Sequence, residues 1–282
     1  MNGRVIHGMS NAEYHALPDL GNSGLSALAK SPAHYHALYL AEDRPERITS
    51  DAFSAGTLAH CAILEPLALS QRYAVRPDGI DLRTKEGKAW AAALDPSLEV
   101  ITGYQMTTAM RQAAAVLAVP ALSELFSTGR AEVSAFWTDP RTGVQCKCRP
   151  DWVHGQRDGS VILVDVKTAR DATPDGFARA IAQYGYHRQA AWYSRGYEAA
   201  SGRRVHAFVF AVVPSEYPFI ASACVLDEES MQQGADECDE LVSVYAECTK
   251  SNTWPGHGSG FQQVSLPVWA KRSQEVEVSY AG

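Results

Sequence analysis

The sequence predicts a mixed central β-sheet flanked by helices, an α/β or α+β layer architecture, and three observations carry that prediction. Val161-Ile162-Leu163-Val164 is an uninterrupted apolar run of strand-forming residues, the pattern of a strand buried on both faces. From Ala131 onward, alternating segments separated by Asp-Pro and Gly-rich turns read as a strand meander. Before and after that meander lie segments with helix caps at their starts and Gly or Pro at their ends. With 282 residues, 46% of them hydrophobic and 20% charged, the chain can bury a full core. It contains no internal repeat, low-complexity tract or long Gly/Ser linker, so one domain over 1–282 is expected, with an N-terminal arm to about residue 22 and an irregular C-terminal wrap from about residue 252.

Asn22 or Ser23 caps a helix over Gly24–Lys30, and Ser31-Pro32 opens a second through about Tyr39. Asp51 to Leu64 forms the next helix, ended by Pro66. In it His60 shares a face with Phe53, Thr57 and Leu64, the face that should turn inward. An inward histidine is either a hydrogen-bonded core residue or a ligand, and the sequence leaves both readings open. A strand at Tyr73–Arg76, a helix at Thr84–Leu94 and a strand at Leu98–Ile101 follow. Thr102 with Gln105 three residues later is a capping box for a helix reaching about Val119, where Pro120 breaks it and starts a short helix through Phe126.

Strands are then expected at Glu132–Thr138 and Val144–Val153 around the turn Asp139-Pro140-Arg141-Thr142-Gly143. Alternation puts Gln145, Lys147, Arg149 and Asp151 on one face of the second strand, either a solvated face or a basic strip leading a phosphate backbone to Asp151. His154–Ser160 is turn chemistry and joins this strand antiparallel to Val161–Lys167. With Val153 set opposite Val161, Asp151 lies diagonal to Asp165, roughly 7 Å away at Cα. Thr173-Pro174 then starts a helix through Tyr184, Gly185 punctuates it, and His187–Ala200 forms another with Gln189 and Tyr193 at i and i+4. Strands at Val205–Val213 and Phe219–Leu226 precede an acidic helix at Asp227–Cys248. The Gly- and Pro-rich tail takes Trp254 and Trp269 as anchors.

Composition excludes several function classes. Cys61, Cys146, Cys148, Cys224, Cys238 and Cys248 include no C-x-x-C pair, so zinc-ribbon and iron–sulfur sites lack their ligand spacing and free thiols are expected. Residues 1–17 have neither a basic n-region nor an apolar h-region, and the longest apolar stretches are too short to cross a bilayer. A cytoplasmic protein with no membrane partner is the expectation. The net charge of −7 argues against a protein that coats DNA, yet a metal ion or a local basic strip still serves a phosphodiester-cutting site.

The chemistry concentrates in Arg149–Thr168. Asp165 and Lys167, two residues apart at the end of a buried strand, share one face, and charges there are costly unless something uses them. Asp151 on the neighbouring strand adds a second carboxylate. Two carboxylates and a lysine converging on one point suit metal-assisted phosphodiester hydrolysis. Mg2+ takes a few carboxylates and keeps several waters, and a bound water loses its proton more readily. The Val166 backbone carbonyl is positioned to complete the ligand set, and Lys167 to orient the water and offset charge on phosphorus.

Several ordered motifs add a family resemblance. Phe136-Trp137-Thr138-Asp139-Pro140, Gly143, Cys146-Lys147-Cys148-Arg149-Pro150-Asp151 and Asp165-Val166-Lys167-Thr168 resemble the nuclease domain of exodeoxyribonuclease VIII, a prophage recombination exonuclease. So do Tyr184-Gly185-Tyr186-His187, Gln189-Ala190-Ala191-Trp192-Tyr193, Gly56-Thr57-Leu58-Ala59-His60 and Ser31-Pro32-Ala33-His34-Tyr35. The likeness runs from about Ser23 to Trp269. It implies the PD-(D/E)xK nuclease fold and a Mg2+-dependent 5′-to-3′ exonuclease on linear double-stranded DNA, with Mn2+ as a substitute ion. By this likeness His60, Asp151 and Asp165 are metal ligands, Lys167 is the catalytic lysine, and Gln189 and Tyr193 form the Gln-x-x-x-Tyr motif beside the site. It also implies a homo-oligomeric ring threaded by DNA ends and a single-strand annealing partner. The long N-terminal region of the larger family member is absent here. Asp165 stands where many members of the superfamily have Glu, and Glu132 is either a further acidic contributor or a plain strand residue. Two alternatives stand beside this reading, a structure-specific or restriction-like endonuclease and a catalytically inactive DNA-binding or assembly protein.

Overall fold

The structure, a computed structural model, describes residues 3–44, 55–258 and 260–266. Residues 3–20, part of the expected N-terminal arm, pack on the fold. β1 (Arg4–Ile6) adds an edge strand, and α1 (Asn11–Ala16) starts with a capping box in which Ser10 and Glu13 satisfy each other's backbone N–H groups. After α2 (Asn22–Leu28), Ser31 caps α3 (Pro32–Tyr39) by accepting from the His34 N–H. α4 (Ala55–Leu64) carries His60, while Phe53 and the start of the expected Asp51–Leu64 helix lie outside the described residues. Pro66 ends that helix, and a single 3-10 turn leads to α5 (Leu69–Arg72), an element the sequence pattern did not announce.

β2 (Tyr73–Arg76), α6 (Lys85–Ala92), β3 (Glu99–Thr102), α7 (Gly103–Leu117) and α8 (Pro120–Ser127) follow within a residue or two of expectation. Thr84 caps α6, and the Thr102/Gln105 box forms as predicted at α7. β2 and β3 pair in parallel as a separate two-stranded sheet.

The meander is where the structure corrects the sequence reading. In place of the expected strand Glu132–Thr138 there are two strands, β4 (Arg130–Ala131), which lies wholly before it, and the shorter β5 (Ser134–Thr138). The expected strand Val144–Val153 is likewise β6 (Gln145–Cys148) and β7 (Trp152–Gly155). β5 and β6 pair with β1 in a three-stranded sheet, whereas β4 and β7 join a five-stranded sheet. Both breaks have local causes. Pro150 has no N–H to give a ladder, and Glu132 adopts a left-handed conformation (φ 52°) that turns the chain. The bends are tied together, since the Glu132 N–H donates to the Asp151 carbonyl at 2.9 Å. The meander is thus one doubly bent hairpin that passes from one sheet to the other, and Asp151 sits at the bend. Its tip is the predicted turn, where the Asp139 carboxylate accepts from Thr142 N–H and hydroxyl, and Gly143 takes φ 75°.

β7 pairs antiparallel with β8 (Val161–Ala169), but Val153 faces Leu163, not Val161. The shift is two residues because β7 runs on to Gly155 before turning. A side-chain period of two keeps every residue on its expected face. Extending the ladder one step past Trp152–Val164 sets Asp151 opposite Asp165, not diagonal to it. β8 then pairs in parallel with β9 (Val205–Pro214), and β10 (Ser222–Val225) pairs antiparallel on the far edge, giving the order β10-β9-β8-β7-β4. The crossover between β8 and β9 is α9 (Pro174–Tyr184), capped by Thr173, and α10 (Tyr186–Ser201). Gly185 between them has φ 70°, which favours glycine. α11 (Glu228–Ser251), capped by Asp227, packs on α10, where Gly234 lets the His187 carbonyl approach.

Successive residues of β8 feed two different cores. Val161 and Leu163 join α2, α3, α10 and α11, while Val164 and Val166 join α4, α7 and α8. Asp165 and Lys167 continue the first face, toward α10. Of the C-terminal wrap, Trp254 stacks on Tyr35 with ring centroids 5.5 Å apart, and Trp269 lies outside the described residues. All six cysteines are free, five of them buried. Among the described residues no helix is long and apolar enough to cross a membrane.

Candidate active site

The site forms where the β7–β8 ladder stops. Beyond Trp152 the chain bends away at Pro150–Asp151, so the Val166 N–H meets no strand on that side. The Asp151 side chain takes its place, with Oδ2 accepting from Val166 N at 2.7 Å. His60 of α4 reaches into the same gap, its Nδ1 3.5 Å from Asp151 Oδ2 and its ring hydrogen-bonded to the Val166 main chain. The structure therefore brings together four groups from different parts of the sequence: the imidazole, two carboxylates and the Val166 peptide.

Asp165 is 1% exposed. Gln189 Nε2 donates to its Oδ1 at 2.7 Å, and Lys167 Nζ lies 2.5 Å from its Oδ2. Lys167 also lies 4.7 Å above the Tyr186 ring, a cation–π contact that the sequence reading did not foresee. Gly185 immediately before it was the available signal, because the turn it allows aims Tyr186 at β8.

The electrostatics follow from burial and like charge. Burial raises the Asp151 carboxyl well above the ordinary range, and the Asp165 charge adds to that; the Lys167 charge and the Val166 hydrogen bond offset only part. Burial pushes the Lys167 ammonium down, but Asp165 and Asp151 reverse this and hold it above its usual value, so it stays charged. Burial likewise lowers His60, outweighs the attraction of Asp165 and so favours the neutral imidazole.

Would a divalent ion fit? Among the described residues no three His, Cys, Asp or Glu side chains form a ready cage. A hard cation that retains waters needs fewer protein ligands. Asp151 and Asp165, the Val166 carbonyl and neutral His60 supply the oxygen-rich donor set it prefers, and the crowding of two carboxylates is what a dication relieves. The donor set fits.

Other expected site residues lie elsewhere. Lys147 does not line an open basic strip. It is 6% exposed, and its Nζ donates to the carbonyls of Tyr14 (2.8 Å) and Leu17 (2.7 Å), fastening the N-terminal segment to β6. Arg149 donates to the carbonyls of Met9 (2.8 Å) and Ser10 (3.3 Å), and its Nε lies 2.8 Å from Glu132 Oε2. Both cations are covered because the N-terminal segment folds over that face, a long-range contact that alternation within one strand does not encode. Glu132 is not a plain strand residue; its backbone makes the bend between β4 and β5, and its carboxylate latches Arg149 across it. Tyr193 stands one turn beyond Gln189 on α10, packed edge-on against Phe208 (6.2 Å), and lines a cleft with Tyr14 and Lys147.

A family model described as a PDDEXK-like domain of unknown function (DUF3799) matches residues 21–265. A search of curated proteins gave no match. Among solved structures, this chain is similar to a protein of Eubacterium rectale to which exonuclease activity has been assigned by inference, with 16% identity over 92% of this chain and 97% of that one and a TM-score of 0.59. Protein VC1899 of Vibrio cholerae is a remoter match, 11% identical over 88% of this chain and 58% of that one, and its TM-score of 0.25 carries no argument. The E. rectale likeness supports the fold, the family model covers most of the chain, and the Asp151/Asp165-x-Lys167 arrangement is what the family's description names: the chain belongs to the PDDEXK-like domain family and has the PD-(D/E)xK fold.

Proposed function

We propose that this protein is a divalent-metal-dependent nuclease that degrades linear double-stranded DNA from its ends. One observation carries the reading: Asp151, Asp165 and Lys167 converge at the gap in the sheet, with His60 and the Val166 peptide beside them. Asp151, Asp165, His60 and the Val166 carbonyl hold the ion, Mg2+ with Mn2+ as a substitute. When bound there, such an ion would supply acidification of a water and neutralisation of phosphate charge. Gln189 fixes the orientation of Asp165. Lys167 stays cationic beside it, donates to the attacking water or a phosphoryl oxygen, and is steadied by the Tyr186 face.

The finer reading rests on the motif resemblance: 5′-to-3′ digestion that leaves 3′ single-stranded tails, a homo-oligomeric ring around DNA, a single-strand annealing partner, and action in the cytoplasm during recombination. The experiment is hydrolysis of linear duplex DNA with Mg2+ by wild type, Asp165→Asn and Lys167→Ala. Nucleotide release by wild type alone is expected; none from wild type, or equal release from all three, overturns the reading. A covalently closed circle should survive, and its cleavage would assign an endonuclease instead. End-labelled duplexes read the polarity.

A further inference from the structure

A second, unassigned cleft lies on the α10 side of the sheet, at the opposite end of β8 from the metal-ligand cluster. Its volume is about 600 Å³, and Arg4, His7, Arg130 and Arg203 line it together with Val153 and Tyr197. No Asp or Glu is among its lining residues. In a chain of net charge −7, three arginines and a histidine gathered without a carboxylate oppose the overall balance, and such a gathering is self-repelling until an anion enters.

The arginines are held in position by different devices. Arg203 is anchored by donating to the carbonyls of Gly159 (2.8 Å) and Ser160 (3.0 Å). Arg4 stacks its guanidinium 4.7 Å above the Phe136 ring. Arg130 projects from β4, an edge strand of the five-stranded sheet. Among the described residues none of the three forms an ion pair with a carboxylate, so Arg4 and Arg130 can offer planar donor forks for bidentate recognition of phosphate, while Arg203, its Nε and Nη2 already donating to carbonyls, adds its charge. The spacing is also informative. α10 runs from Gln189, which touches Asp165, to Ala200 and Ser201 at the cleft wall. Twelve residues of helix span about 18 Å, the length of roughly five nucleotides of a stacked strand at 3.4 Å each.

We propose that this cleft is a second phosphate-binding site, which grips the nucleic-acid backbone about five nucleotides from the metal centre. The inference rests on DNA being the substrate but not on hydrolysis occurring. Its test is binding, measured in EDTA by fluorescence anisotropy of labelled single-stranded oligonucleotides of 4 and 12 nucleotides and a 20-base-pair duplex (at about 3.4 Å per nucleotide the first falls short of the ~18 Å separation and the other two exceed it). The full chain is compared with the Arg4→Gln/Arg130→Gln double variant and with Arg130→Gln alone, all checked for unchanged melting temperature. The expected result is about tenfold weaker binding of the 12-mer and duplex by the double variant, a salt dependence shallower by about two counterions, and unchanged binding of the 4-mer. Arg130→Gln alone should give an intermediate loss. Equal binding by all variants, an equal loss for the 4-mer, or polyglutamate competing as well as DNA for the cleft overturns the proposal. If wild type cleaves DNA but the variants bind normally, this inference fails and the nuclease reading stands. If wild type does not cleave but the length-dependent loss appears, the reverse holds.

Discussion

Two buried lysines make the most instructive comparison in the molecule. Lys147 and Lys167 both lie 4.7 Å above a tyrosine ring, Tyr14 and Tyr186 respectively, and both are largely withdrawn from water. Their polar partners differ in kind. Lys147 is held by two main-chain carbonyls that cannot change charge, and its position ties the first helix to the three-stranded sheet. Lys167 is held by a carboxylate in a site with a second carboxylate, at the point where the sheet leaves a peptide without a strand partner. The same side chain serves as a rivet in one place and, under the proposed function, as a reactive group in the other. Burial and cation–π geometry do not distinguish them; the chemistry of the partners does.

The largest effect that tests this contrast is loss of rate. Lys167→Ala should lower DNA hydrolysis by about 10²–10³, the usual cost of one donor to a transition-state oxyanion, with a melting temperature close to wild type. A comparable loss of stability would break the comparison. Lys147→Met should do the opposite, leaving two buried carbonyls unsatisfied at about 1–3 kcal/mol each. Its urea midpoint should fall while the residual folded enzyme keeps its turnover. A smaller change sharpens the Lys167 side. Gln189→Ala should reduce the rate about tenfold and raise the Mg2+ concentration needed for half-maximal rate, since Asp165 loses its orienting donor at a cost of about 1–1.5 kcal/mol. Titrations at fixed DNA would detect this. Smallest is Gly185→Ala, which places a side chain at φ 70° and costs about 1–2 kcal/mol. It should shift the melting temperature by a few degrees and, by moving Tyr186, lower turnover more than the same destabilisation introduced at Gly143.

Elements and faces were legible in the sequence, and long-range cover was not. Ser31, Thr84, Thr102, Thr173 and Asp227 all cap the helices they were expected to start, because a cap is a contact within four residues. Asp151, Asp165 and Lys167 share the expected face because alternation survives a two-residue change of register. Neither the bend before β5 nor the split of the second meander strand was legible, because alternation continues through each bend. Pro150 was visible, but the left-handed turn at Glu132 has no signature in a residue type that rarely adopts it. Lys147 and Arg149 read as open because the segment that covers them lies more than a hundred positions earlier.

The alternating sides of β8 have a consequence for how the molecule tolerates change. Val161 and Leu163 pack into one core and Val164 and Val166 into another, so the central strand is a wall between two packing problems. Substitutions on opposite sides should add to within about 0.3–0.5 kcal/mol, as for sites with no shared neighbours. The helices around α7 can then drift, lengthen or be redesigned without retuning those around α10. His60 is where this independence ends. It is rooted in one compartment and contacts Asp151 at the gap, so epistasis between the two halves should concentrate at that histidine.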